Sequence, residues 1–215
     1  MFFRDYFRTM DVIINWLRDA DSWIQIISLI SGIIYMVMQV VQHKWMWYLD
    51  LVTCITALTV AAINFQDGVW APLWAQVGLN AWFIAMAAWG IFHWKELDES
   101  SNGELHVVKL SVRRLLLTVI LLAVCTPLVC YLYSVTNDPS PVLEGISFTF
   151  SIFAAWYLSC SHLENWYLWI AADMAVTLLF AQQGDWWMAV LYACYIVSAV
   201  IGLAFWKRKG VCVQG

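Results

Sequence analysis

Apolar residues in this chain fall into long blocks, not into alternating or one-faced stripes. The blocks are Ser22–Val41, Trp45–Asn64, Trp70–Trp94, Val112–Ser134, Val142–Cys160, Glu164–Gln183 and Trp186–Trp206. A hydrocarbon core takes about 20 apolar residues per helix. The pattern therefore predicts an all-α integral membrane protein with seven transmembrane helices. Polar stretches separate the blocks, chiefly Lys95–Ser111 and the break Asn137-Asp138-Pro139-Ser140-Pro141. Residues 1–21 carry charges of both signs (Arg4, Asp5, Arg8, Asp11, Arg18) and no cleavage-like site, so they do not read as a signal peptide. They read as an interfacial segment, with Phe2, Phe3, Tyr6 and Phe7 on the lipid surface.

The blocks contain a weak internal repeat. Block three ends Gly90-Ile91-Phe92-His93-Trp94-Lys95 and block seven ends Gly202-Leu203-Ala204-Phe205-Trp206-Lys207, both G-x-x-x-W-K. Blocks two and six open on clustered aromatics, Trp45-Met46-Trp47-Tyr48 and Trp166-Tyr167-Leu168-Trp169, and lead to turns at Gly68 and Gly184. Two three-helix units joined by one inverting helix keep the same orientation, a parallel 3+1+3 repeat of the SWEET type. Interface preference alone also makes tryptophan-rich helix ends look alike. The expected division is repeat one over 22–94, a cytoplasmic linker over 95–111, a linker helix over 112–134, repeat two over 142–206 and a tail over 207–215. Lys and Arg set the orientation. Eight (Lys44, Lys95, Lys109, Arg113, Arg114, Lys207, Arg208, Lys209) fall on one side and three (Arg4, Arg8, Arg18) on the other. The N-terminus is expected outside and the C-terminus in the cytoplasm.

Composition agrees with a membrane chain. Hydrophobic residues make up 63% and charged residues 12% of 215, against about 45–50% and about 25% in soluble domains. The net charge of −4 gives no reason to expect nucleic acid. The 15 Trp suit membrane interfaces and sites for aromatic ligands. The six Cys form no C-x-x-C pair and the four His stand apart, so neither a disulfide nor a metal site is expected. There is no nucleophile elbow, no H-E-x-x-H and no phosphate loop, which leaves no cofactor and argues against an ATP-driven pump.

Polar groups at membrane depth usually face a bundle interior or a cavity. Asp173 lies near the middle of block six, where a carboxylate costs roughly 2.5–3.5 kcal/mol. Trp166, Trp169 and Asp173 are spaced i, i+3, i+7 and share one helical face. Two indole surfaces and a carboxylate suit a flat cationic ring. The alternative is that Asp173 bonds a neighbouring helix and the tryptophans mark the interface. Similar stripes occur elsewhere: Gln25, Ser28, Gly32, Tyr35, Gln39; Asp50, Thr53, Ala57; Glu144, Ser147, Ser151, Ala154; and Tyr192, Tyr195, Ala199, Gly202. Asn80 sits near mid-depth of block three. The small residues also fit tight helix packing, and Asp50 and Glu144 lie close enough to helix ends to reach interfacial water.

The element Glu164-Asn165-Trp166-Tyr167-Leu168-Trp169, followed by Gln183-Gly184, Leu191-Tyr192 and Gly202, resembles the W-x-x-W signature region of the Pnu vitamin transporters. Ser22-Trp23-Ile24, Gly32 and Trp89-Gly90 extend the resemblance over about residues 22–207. It implies the 3+1+3 layout, a homotrimer in the bacterial cytoplasmic membrane, and facilitated diffusion of a vitamin that is phosphorylated inside the cell. Nicotinamide riboside members usually carry Asn in helix two, Gln in helix three and Asn in helix six. This chain has Thr53-Cys54, Asn80 and Asp173 instead, with Leu191 where some members carry Glu. Gly78-Leu79-Asn80 is closer to thiamine-associated members. The expected cargo is thus a cationic heteroaromatic vitamin, thiamine ahead of nicotinamide riboside, with riboflavin third. The expected substrate-binding residues are Trp166, Trp169, Asp173, Asn80, Tyr192, Tyr35, Gln25 and Tyr195. Outside this class stand a seven-helix receptor and an intramembrane enzyme using Asp50 with Asp173, for which no partner motif exists. A retinal protein is disfavoured because Trp186–Trp206 contains no Lys.

Overall fold

Backbone polar groups in hydrocarbon must be satisfied within their own segment, and the described part of each apolar block accordingly contains a helix. The computed structural model describes residues 23–24, 27, 30–66, 73–101 and 106–214. Its helices are α1 (Ile30–Val40), α2 (Met46–Gln66), α3 (Leu73–Ser101), α4 (Val112–Val135), α5 (Pro141–Ser159), α6 (Asn165–Gln183) and α7 (Trp186–Lys209). The interfacial segment, Gln25, Ser28, Gly68 and Trp70 lie outside the described residues. Among the described residues four helices, α3, α4, α5 and α7, are long and apolar enough to cross a membrane. α6 carries Asn165, Asp173, Thr177, Gln182 and Gln183, and these lower its apolarity.

Local chemistry fixes the ends. Ser111 caps α4 by accepting from the Arg114 backbone N–H at 3.5 Å, and Asp185 caps α7 by accepting from Met188 at 3.2 Å. Pro141 opens α5, where its missing N–H costs nothing. Gly184 takes a left-handed conformation, φ 77°, that closes α6 and turns the chain into α7.

One expectation is corrected. Helix three does not stop at Trp94 but continues as α3 to Ser101, because Lys95-Glu96-Leu97-Asp98-Glu99 contains good helix formers and no Gly or Pro. Two short strands accompany the seven helices of this all-α fold. His106–Lys109 (β1) and Val211–Gln214 (β2) pair in parallel, His106 opposite Val211 and Lys109 opposite Gln214. Both strands fall in short segments that sequence periodicity does not resolve. β1 also grips the α5–α6 turn. Val108 N–H donates to the Ser161 carbonyl at 3.0 Å, and Leu163 N–H donates back to Val108 at 3.0 Å.

α5 lies at the centre of the packing, against α3, α4 and α6, while α6 packs on α7 and α2 on α3. The outer surface is apolar. Leu116, Ile120, Val124 and Leu128 of α4 form an exposed stripe at helical spacing. The two ends of the bundle differ in charge. Lys44, Lys109, Arg113, Arg114 and Lys207–Lys209 gather at the end that carries the small sheet, here the basic face. The α4–α5 and α6–α7 turns at the opposite, acidic end present Asp138 and Asp185 and no Lys or Arg.

The densest core lies next to the basic face and joins Trp47, Trp94, Trp166 and Trp206 with Met46, Leu158 and Val107. It is built twice from the same parts. Trp47 stands edge-on to Trp94 at 5.2 Å and 84°, and Trp166 stands edge-on to Trp206 at 5.4 Å and 90°. Trp47 lies flush on Gly90, and Trp166 lies flush on Gly202. The preceding turns match as well. Gln42 and Ser161 are both left-handed, φ 55° and 57°, and the His43 and His162 amides donate to Met38 at 2.9 Å and Tyr157 at 2.8 Å. Trp47 therefore corresponds to Trp166. This register differs from a match of the aromatic clusters by their first residues, Trp45 and Trp166.

His162 sits in this turn, its Nδ1 3.4 Å from the Val108 carbonyl. Burial lowers its pKa below the ordinary value; the Val108 carbonyl and Glu164 act in the opposite sense, while Arg114 and His93 add to the lowering. The unfolded imidazole titrates near about 6.5. The folded protein thus binds this proton less readily, and the stability held above that pH is lost as pH falls toward the folded pKa. Thermal unfolding in detergent should show a Tm that falls as pH drops below about 6.5. A His162→Gln variant should flatten that slope.

Candidate functional site

The polar stripes of six helices converge on one cavity of about 1000 Å³. Its floor, toward the basic face, is formed by Trp47 and Trp166 with Leu158 and Gln39. Gln76, Glu144 and Met188 line it within about one turn of the acidic ends of α3, α5 and α7. Seven of the eight expected residues, Trp166, Trp169, Asp173, Asn80, Tyr192, Tyr35 and Tyr195, line this cavity. Gln25 lies outside the described residues.

These residues differ in what they offer. Trp166 is only 2% exposed, and its ring is engaged between Gly202 and Trp206. It acts as floor. Trp169 is half-buried, leans on Phe83 at 6.1 Å and is the more available indole face. Asp173 is 8% exposed and lines the cavity, and among the described residues no side chain donates a hydrogen bond to its carboxylate. Among the described residues, the reading of Asp173 as a tie to a neighbouring helix has no hydrogen bond to rest on. Asn80 donates its amide N–H to the Gln76 carbonyl at 2.9 Å, which fixes the side chain and leaves its oxygen as an acceptor. Tyr192 stacks on Phe180 at 5.6 Å and meets Tyr195 edge-on at 5.3 Å, forming an aromatic wall on α7. Tyr35 lies within electrostatic reach of Asp50 and Cys54.

Asp50 and Glu144 lie close enough to helix ends to reach interfacial water, and both line the cavity. Their stripes, Asp50-Thr53-Ala57 and Glu144-Ser147-Ser151, carry the signal, since all six residues face the same space. Among the described residues the lining thus holds three carboxylates, Asp50, Glu144 and Asp173, and no Lys, Arg or His. These three acids give the described lining a formal negative charge. Among the described residues no group of His, Cys, Asp and Glu has metal-holding geometry.

A family model described as nicotinamide mononucleotide transporter matches residues 22–208, most of the chain. The protein belongs to the nicotinamide mononucleotide transporter family. It is a multi-pass membrane transporter of the Pnu type, as the W-x-x-W element implied. The nicotinamide riboside transporter PnuC of Haemophilus influenzae is 25% identical over 196 residues, covering 90% of this chain and 83% of that protein. PnuC of Escherichia coli is 22% identical, with 94% of each chain covered. The crystal structure of the vitamin B3 transporter PnuC matches with a TM-score of 0.66 at 18% identity, covering 92% of this chain and 86% of that one. The family fold is therefore the fold seen here.

Proposed function

We propose that this protein carries nicotinamide riboside, a cationic pyridinium nucleoside, across the bacterial cytoplasmic membrane by facilitated diffusion. The observation that carries this reading is the charge of the cavity: among the described residues its lining has three carboxylates and no basic side chain. A pyridinium ring supplies the missing positive charge and stacks on an indole. Trp169 would take the ring, Asp173 its charge, and Asn80, Tyr35, Tyr192 and Tyr195 the carboxamide and ribose. A phosphate adds negative charge in a low-dielectric chamber with nothing to pair it, so the mononucleotide fits poorly. This also reverses the order of cargoes drawn from the sequence. Thiamine satisfies the charge, but the relatives named above are nicotinamide riboside transporters, so thiamine drops to second.

The seven-span 3+1+3 layout belongs to this proposal and is supported by the duplicated Trp-Gly-Trp units and turns. The orientation, with the basic face cytoplasmic, follows the Lys and Arg distribution. The homotrimer is carried over from the family resemblance alone.

Quenching of tryptophan fluorescence in detergent tests the cargo, with nicotinamide riboside, its mononucleotide, thiamine and riboflavin titrated side by side. Saturable quenching by the riboside is expected, with the mononucleotide at least about 30-fold weaker, the scale of an unpaired buried charge. Equal binding of riboside and mononucleotide would refute the charge argument. Saturation by thiamine alone would restore the first ordering.

A further inference from the structure

We propose that Asp50 is a second charge-recognising residue of the transport path, nearer the basic face than Asp173, and that it sets the preference for a cationic over a neutral cargo. The proposal rests on the cationic-nucleoside reading of the same cavity.

The duplicated turns fix the register between α2 and α6. With Trp47 matched to Trp166, Asp50 falls at the position of Trp169 and Cys54 at the position of Asp173. One unit thus presents an indole and then an acid, and the other presents an acid and then a thiol. At 1.5 Å rise per residue, Asp173 lies roughly 12 Å from the start of α6, and Asp50 roughly 6 Å from the start of α2. Both helices start at the basic face. The two acids therefore stand at different depths in one chamber, with Asp50 one turn above the Trp47 floor.

Asp50 is poorly served by the protein itself. Among the described residues its carboxylate receives one hydrogen bond, from Cys54 Sγ at 3.7 Å, and a thiol is a weak donor. Asp173, nine-tenths buried and lining the same cavity, receives none. A positive charge leaving Asp173 toward the basic face meets Asp50 before it meets the tryptophan floor. In a low-dielectric chamber the second carboxylate keeps a counter-charge beside the moving ring, which a single acid at mid-depth does not. A neutral ring gains nothing from it.

Two cargoes of nearly the same shape separate charge recognition from packing: nicotinamide riboside, whose ring is cationic, and its 1,4-dihydro form, whose ring is neutral. Initial uptake of each into vesicles carrying the full chain is measured, after subtraction of flux into protein-free vesicles. Asp50→Asn is expected to lower the flux of the cation about 10-fold or more while the neutral form stays within about 2-fold of the parent. Asp50→Glu, which keeps the charge, is expected to preserve the cation-to-neutral ratio. Equal losses for both cargoes in Asp50→Asn would mean a packing role and overturn the proposal, as would an unchanged ratio. A parent protein that moves neither riboside would overturn the cargo reading and this proposal with it. That result appears in the parent alone, so the two failures are distinguishable.

Discussion

Asp173→Asn is expected to weaken binding of nicotinamide riboside by about 2 kcal/mol or more, roughly a 30-fold rise in Kd. Asp173 is 8% exposed, lines the cavity, and its carboxylate has no hydrogen-bond donor from a described side chain. The described side chains give this group no hydrogen-bond partner, and a cationic ligand in the cavity supplies one. Asparagine keeps the volume and removes only the charge. The loss should therefore be specific to charged cargo, with the neutral dihydro riboside binding about as it does to the parent. Equilibrium quenching of tryptophan fluorescence measures both. If the two cargoes weaken together, Asp173 supports the shape of α6 and not the charge of the ligand. Asp50→Asn differs in kind, since its larger effect is expected on flux.

The helices were legible because apolar blocks of membrane-spanning length have few alternatives in hydrocarbon. The convergence of the polar stripes was also legible. Asp173, Trp169, Tyr35 and Tyr192 share faces at helical spacing, and those faces meet at one cavity. What sequence could not give was depth and partner. Asp50 and Glu144 lie one turn from helix ends, where a lone helix would hand its carboxylate to water; neighbouring helices turn that position into cavity wall. Trp166 and Trp169 look equivalent on a helical wheel, yet Gly202 draws the first into the core and leaves the second half-exposed. The strand pair escaped for a different reason. Four residues of β1 carry no periodicity of their own and become a strand only beside the tail and the α5–α6 turn.

Gly202→Ala should damage both stability and transport, and the reason lies in the duplicated tryptophan floor. A Cβ at Gly202 would sit 2.3 Å from Cη2 and 2.5 Å from Cζ2 of Trp166, and one at Gly90 would sit 2.3 Å from Cε2 of Trp47. These are rigid ring atoms, and Trp206 blocks Trp166 on a second side. The indole must leave its place or the helices must part. Overpacking of a filled core costs about 1–3 kcal/mol, and here the displaced ring belongs to the cavity floor. Gly202→Ala and Gly90→Ala should each lower Tm by several degrees and reduce riboside uptake. Gly78→Ala, whose Cβ meets nothing within 4 Å, serves as the neutral control. Combining Gly202→Ala with Trp166→Phe should recover part of the lost Tm, because the smaller ring vacates the contested space. The coupling read from that double-mutant cycle isolates the Gly–Trp contact from general damage to α7. Strictly additive losses would show that Gly202 acts on helix conformation alone. Recovery of Tm without recovery of uptake would show that the fold needs the space filled, while transport needs the indole itself.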